Sequence, residues 1–323
     1  MYFNNKNNFY HGIMFHHFHD DLVHKKGQGS ISKDDFYKII KFIGRENILD
    51  ADIFFDKLKK NKLKEKDVCF TFDDAIKCQA DIALPVLEDL KIKSFFFIYT
   101  SLFEKKPDYL EVYRYFRMNY FDNVEIFYSS FYEILNKNLE NFFKKNENVI
   151  EKKKKKFPYY SIGDIKFRLV RDNFIKKEEY EKTMQILMEQ KKFNPKEFYK
   201  KLFFDKNDLV NLDNLGHSIG LHSHSHSTSI EKLSYEEQKL EYEKSLFIIS
   251  KIINKSKKDI KFMSHPCGSY NNDTLKILKD LGIELGFKQI MTIESEKGMQ
   301  KINNSFLEIA RQDHSDIIKK IKL

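Results

Sequence analysis

The stretch that most constrains this chain is Val68-Cys69-Phe70-Thr71-Phe72-Asp73-Asp74, an apolar run that stops at two adjacent carboxylates. Short apolar runs rich in aromatic and β-branched residues read as buried strands of an α/β fold. Folds of that class gather their sites at the carboxyl ends of the strands. Of two acids placed there, one is neutralised by a cation and the other is left to act as a base. The complement lies far down the chain in Gly216-His217-Ser218-Ile219-Gly220-Leu221-His222-Ser223-His224-Ser225-His226. One Asp and two His make a facial metal site with positions open to water and substrate.

The rest of the chain supplies a frame for such a site. Gly12-Ile13-Met14-Phe15 reads as a first strand, ending at His16 and His17. Ser32-Lys33-Asp34-Asp35 caps a helix carrying Phe36, Ile39, Ile40 and Ile43 at helical spacing, which Gly44 helps to end. The segment from Ala75 to Leu90 predicts a helix that starts late or kinks, because Pro85 sits within it. Ser94 to Tyr99 follows as a buried strand, and strand, helix and strand in succession mark a parallel sheet. From about residue 103 to 205 the chain turns to Tyr, Phe, Lys, Glu and Asn with almost no Gly, and reads as a mainly helical insertion. Its Lys152 to Lys156 run is read as a solvated helix end or loop. Beyond it, Ile219–His222, Ile260–Ser264, Glu284–Phe287 and Leu307–Ala310 read as further strands, making about seven in all. A second capping box, Ser234-Tyr235-Glu236-Glu237, opens a helix to about Asn254, and Thr274 to Leu281 predicts another, ended by Gly282.

Composition narrows the function classes. The 323 residues carry a net charge of +9, almost all of it from Lys spread along the chain, whereas Arg is scarce. Nucleic-acid readers rely on Arg forks, so a solvated Lys-rich surface is the preferred reading and no nucleic-acid partner is expected. Cys69, Cys78 and Cys267 are too few and too irregular for a disulfide framework or a thiolate zinc site. Met1 to Lys6 lacks the apolar run of a signal peptide, and no stretch reaches the roughly 20 apolar residues of a membrane span. A cytoplasmic setting without an integral membrane segment is therefore expected.

Each chemical candidate has a plainer alternative. Asp73 and Asp74 would equally serve to cap the helix after the strand. His222 and His226 stand at i and i+4, a spacing that lets two imidazoles converge on a helix turn or tight loop. In an extended segment His222, His224 and His226 would share a face instead. A His-rich tract is also compatible with an inert surface loop, but this one directly follows an apolar strand whose glycines permit close packing.

Three stretches together carry a family resemblance. Thr71-Phe72-Asp73-Asp74 resembles the first motif of the polysaccharide deacetylase family, the NodB-homology carbohydrate esterases. Gly216 to His226 resembles the second, and Pro266-Cys267-Gly268-Ser269-Tyr270-Asn271 resembles part of the third. The likeness spans roughly residues 11–102 and 206–315 and leaves the helical stretch unexplained. It implies an α/β fold, a distorted (β/α)7 barrel, which residues 1–102 and 206–323 would build. The helical insertion 103–205 follows the strand ending at Tyr99, on the same rim as the site, and is expected to form a lid or a substrate wall. The likeness also implies that Asp74, His222 and His226 hold a divalent metal, usually zinc, that Asp73 is the general base, and that Pro266, Gly268 and Tyr270 contact substrate.

Departures from the family pattern matter too. Where many members carry Arg before the Pro of the third motif, Ser264 and His265 stand here, so Arg311 is the candidate to orient Asp73. Ala75 occupies a place that is often Gly. The late Leu-x-His motif that usually supplies the acid is missing, and His16 is the candidate general acid, ahead of His17, His265 and His314. The resulting expectation is a metal-dependent hydrolase that removes an N-acetyl group from an acetamido sugar or glycan precursor. Its rivals are a non-catalytic glycan-binding barrel, and an amidohydrolase or deformylase on another small amide.

Overall fold

The protein is described by a computed structural model covering residues 9–20, 22–27, 29–156, 160–289 and 305–321. The Met1 to Lys6 segment read above for a signal peptide lies outside the described residues. Contacts divide the chain into two compact units, Met1–Asp108 with Tyr199–Leu323, and Tyr109–Phe198.

The first unit is built on seven parallel strands: β1 (His11–Phe15), β2 (Val68–Phe72), β3 (Phe95–Ile98), β4 (Ser218–Leu221), β5 (Phe262–Ser264), β6 (Leu285–Phe287) and β7 (Arg311–Asp313). Their order across the sheet is β6-β5-β4-β3-β2-β1-β7. Register is set by apolar pairs such as Ile13 against Phe70 and Phe15 against Phe72. Every residue of β1, β2 and β3 is buried, as strands covered on both faces require. Phe72 stacks on Phe96 at 4.7 Å, while Phe95, Phe97 and Phe287 form a second aromatic layer with Phe54. The abundant Phe is thus core filling, each ring contributing about 1.5–3 kcal/mol on full burial.

The sheet curls into a nearly closed barrel through the segment before β7. Ile309 bridges to Phe287 in parallel, and the Gly12 amide donates to the Ala310 carbonyl at 2.9 Å. Here the structure corrects the sequence reading. Leu307–Ala310 gives only that single bridge, and the paired strand is Arg311–Asp313. Polar side chains at 311 to 313 hid it from a search for apolar runs, although Arg311 and Gln312 are both buried.

Helices begin and end where their caps dictate. Ser32 accepts from the Asp35 amide to open Lys33–Ile43, and Gly44 closes it at φ 87°. Ser234 and Glu237 form a full capping box ahead of Tyr235–Ile252. After β2 the chain forms one π turn, Gln79–Ala83, before the helix Leu84–Asp89, with Pro85 in its first turn where a missing N–H does no harm.

The second unit is helical, with its longest helices at Tyr109–Asn119, Val124–Leu135, Glu147–Lys156 and Lys177–Gln190. Phe116, Phe127, Phe131 and Phe167 are fully buried, and Tyr128 donates to Asp164 at 2.8 Å within its core. The Lys152–Lys156 run is the end of a helix.

Candidate active site

Strand β2 ends by turning sharply. Asp74 and Ala75 both have left-handed backbones, φ 74° and 52°, which rotate the two carboxylates into different surroundings. The place often held by glycine in the resembled pattern is thus one that demands positive φ.

Asp73 turns inward and is 2% exposed. Its Oδ1 accepts from Arg311 Nη1 at 2.7 Å, and its Oδ2 accepts from the Ser264 hydroxyl at 3.2 Å. Burial opposes its charge, but Arg311 and the nearby His222 outweigh it and hold the carboxyl below its usual range. Arg311 is itself buried, and donates through Nε to the Lys288 carbonyl at 2.6 Å and through Nη1 to Thr71 Oγ1 at 3.3 Å. Gly12 makes room for it: a Cβ there would sit 3.0 Å from Arg311 Cγ.

Asp74 faces the other way, toward the loop after β4. That loop is neither helix nor strand; Ser223 and His226 adopt φ of 61° and 58°, and the turn brings His222 and His226 together with ring centroids 5.1 Å apart. His224 is turned aside, with Nδ1 2.9 Å from Thr100 Oγ1. Glu241 pins the loop by accepting from the His224 and Ser225 amides at 2.9 and 2.7 Å.

His222 and His226 each bring Nε2 to 3.2 Å from Asp74 Oδ1. Neither approach is aligned as a hydrogen bond, and Asp74 Oδ1 is buried with no hydrogen-bond partner. The far ring nitrogens explain why. His222 Nδ1 donates to the Ser264 carbonyl at 2.9 Å, and His226 Nδ1 donates to Asp108 Oδ2 at 2.6 Å. Both acceptors require a proton on Nδ1, so in the neutral ring the lone pair of each histidine lies on Nε2. Three electron-rich atoms therefore converge within 4.8 Å of one another. Ligand atoms around a tetrahedral zinc lie about 3.3 Å apart, so the spacing suits a small divalent cation. Burial opposes charge on His226, yet the Asp74 and Asp108 carboxylates raise its pKa well above the usual value. Asp74, despite its own burial, is held well below the carboxylate range by His226, His222 and His16.

His16, just past β1, completes the cluster, with Nε2 3.9 Å from both Asp73 Oδ2 and Asp74 Oδ2. The other histidines considered for its role are placed differently. His17 follows it with a parallel ring 6.3 Å away. His265 is fully buried, with Nε2 on the Leu307 carbonyl at 2.9 Å and its pKa pushed by burial down to about 3. His314 bonds the Met14 and Gly29 carbonyls through its two ring nitrogens. Pro266, Gly268 and Tyr270 form the turn after β5, where Gly268 has φ 69°, Tyr270 stacks on His265 at 4.1 Å and its hydroxyl donates to Glu308 at 3.0 Å.

The sequence profile of the polysaccharide deacetylases matches residues 60–162 and 174–286, well over half of the chain. The chain belongs to the polysaccharide deacetylase family. Among solved structures it is similar in fold to several deacetylases. The Streptococcus pyogenes deacetylase PplD, in complex with acetate, superposes with TM-score 0.54 at 15% identity, over 98% of this chain and 99% of its own. A de-N-acetylase from Aggregatibacter actinomycetemcomitans gives 0.54 at 14% identity, over 97% and 99%. IcaB from Ammonifex degensii gives 0.55 at 11% identity, over 98% of both chains. No curated protein matches the sequence.

Sequence reasoning missed Asp108, Ser264 as a partner of Asp73, and Glu241. Asp108 is 118 residues from His226 and stands alone between Pro107 and Tyr109, with no spacing to betray it. Glu241 lies on a helix face that reads simply as solvated.

Proposed function

We propose that this chain is a metal-dependent hydrolase that removes the acetyl group from the nitrogen of an acetamido sugar. The observation that carries the reading is the meeting of Asp74 Oδ1 with the Nε2 atoms of His222 and His226, beside a carboxylate that is not needed as a ligand. A divalent cation held there, zinc by the chemistry of the donors, supplies Lewis acidity toward the amide carbonyl and the attacking water.

The remaining work falls to the chain. Arg311 occupies Asp73 Oδ1, so Oδ2, which faces Ser264 and His16, is the oxygen that takes the proton from water. The Arg311 ion pair keeps that carboxylate ionised and fixed, so its orientation is set before substrate arrives. As the C–N bond breaks, the sugar nitrogen needs a proton, and His16, 3.9 Å from each carboxylate, is placed to give it. The products are a free amine and acetic acid, which ionises to acetate, with one water proton returned to the nitrogen through Asp73 and His16. Pro266, Gly268 and Tyr270 are proposed to shape one wall for the sugar, held by the Tyr270–Glu308 hydrogen bond.

The test is acetate release from N-acetylglucosamine oligomers. Activity should disappear after treatment with a chelator and return with added zinc. Undiminished hydrolysis in thoroughly metal-free protein contradicts the proposal, as does a zinc-loaded chain that releases acetate from none of a panel of acetamido sugars.

A further inference from the structure

The two histidines that share Asp74 are not backed alike. His222 Nδ1 donates to a neutral acceptor, the Ser264 carbonyl at 2.9 Å. His226 Nδ1 donates to a full negative charge, Asp108 Oδ2, and at 2.6 Å the contact has the length of a charge-assisted bond. Asp108 is the last residue of the barrel unit before the chain enters the helical unit. It is held in place in turn: its amide donates to the Tyr99 hydroxyl at 3.2 Å, and the Tyr99 ring lies 5.2 Å from the His226 ring. Tyr99 is 1% exposed, so this support lies within the core.

We infer that Asp108 is a positioning residue for the cation ligand His226, a role that goes beyond the three ligands and rests on reading Asp74, His222 and His226 as a divalent-cation site. It acts in two ways. As an acceptor it holds a proton on Nδ1, so that Nε2 is the nitrogen turned toward Asp74 and offered to a cation. As an anion it draws that proton toward itself and makes Nε2 a stronger electron donor than an imidazole backed by a carbonyl. The two effects are separable, because Asn keeps an acceptor oxygen and loses the charge, whereas Ala loses both.

The experiment measures zinc affinity of the full chain by competition with a chromophoric chelator, for the wild type, Asp108→Asn and Asp108→Ala. The 15N shifts of the His226 ring in the cation-free chain, read at a pH high enough to leave that ring neutral, report the tautomer. Asp108→Asn should bind zinc about 10-fold more weakly and Asp108→Ala about 100-fold more weakly, the range for loss of such supporting partners. Asp108→Asn should keep Nδ1 protonated, and Asp108→Ala should show both tautomers. A merely structural role would lower the unfolding midpoint of the cation-free chain while leaving zinc affinity unchanged. Asp108→Asn is close to isosteric, so it decides the matter even if Asp108→Ala does not fold. Wild-type affinity in Asp108→Asn, together with an unchanged tautomer in any folded Asp108→Ala, overturns the inference and leaves the cation site standing. Failure of the wild type itself to bind zinc overturns the underlying reading of the site and the inference with it.

Discussion

Arg311 ties together residues that are remote in sequence. One guanidinium bonds the Asp73 carboxylate, the Thr71 hydroxyl and the Lys288 carbonyl, all inside the barrel. Replacing it by Met would strand a buried carboxylate, and breaking a buried pair from one side costs about 3–5 kcal/mol. Arg311→Met should therefore unfold at clearly lower urea concentration than the wild type, and acetate release should fall about 100-fold as Asp73 loses its orientation. Arg311→Lys should recover only part of either, because an ammonium cannot make the same fork of bonds. Equal stability of Arg311→Met and wild type would show that the pair is not what holds Asp73. At this scale the sequence was informative about ligand types and poor about their supports. Asp73, Asp74, His222 and His226 announce themselves by spacing and by their place after apolar runs. Asp108, Ser264 and Glu241 act only through folding, by hydrogen bonds across 17 to 191 residues of chain, and no local pattern marks them.

The elements that carry the site are set by close backbone approaches as well as by apolar runs. Gly220 in β4 faces β5 so closely that a Cβ would lie 2.6 Å from the Phe262 carbonyl oxygen. Gly220→Ala must part the two strands just before His222. Overpacking of this kind costs about 1–3 kcal/mol, and zinc affinity should weaken along with stability. Thermal unfolding with and without zinc checks both, and an unchanged pair of midpoints contradicts the packing argument. Apolar strands and capped helices were readable from residue type because burial and N-capping act locally. Strand β7 was not, since its pairing is a backbone property and its buried side chains are polar. The site loop takes the tight-loop form of the i, i+4 reading: the histidines converge through left-handed residues at 223 and 226, not through a helical turn or an extended face.

Across the whole molecule, buried neutral histidines link stability to pH. Burial lowers the pKa of His11 to about 4, and His217, buried against Ser94 and Glu88, is likewise lowered to about 4. An unfolded imidazole takes up a proton near pH 6.5, whereas these two stay neutral in the native chain until about pH 4. The unfolded state thus binds more protons in that window, and stability is lost as pH falls from about 6.5 toward 4, by up to about 1.4 kcal/mol per pH unit for each group. The urea midpoint should drop from pH 7 to pH 5, and a folded His11→Asn variant should show a shallower drop; identical slopes would contradict this assignment. Among the described residues no helix is long and apolar enough to cross a membrane. The family and the barrel were legible because their motifs sit at strand ends that hydrophobicity alone reveals. The helical unit was legible only as helical, since its Phe-rich packing follows from composition but carries no chemical signature.

The central claim is that Asp73 and Asp74, neighbours in sequence, have separate duties: one handles protons and the other holds a cation. Zinc content and acetate release, measured together on Asp73→Asn and His222→Ala, test it most directly. The account predicts that Asp73→Asn keeps one zinc per chain and loses hydrolysis by at least about 100-fold, while His222→Ala loses both. An Asp73→Asn protein that hydrolyses at the wild-type rate, or a His222→Ala protein that keeps its zinc, would contradict it.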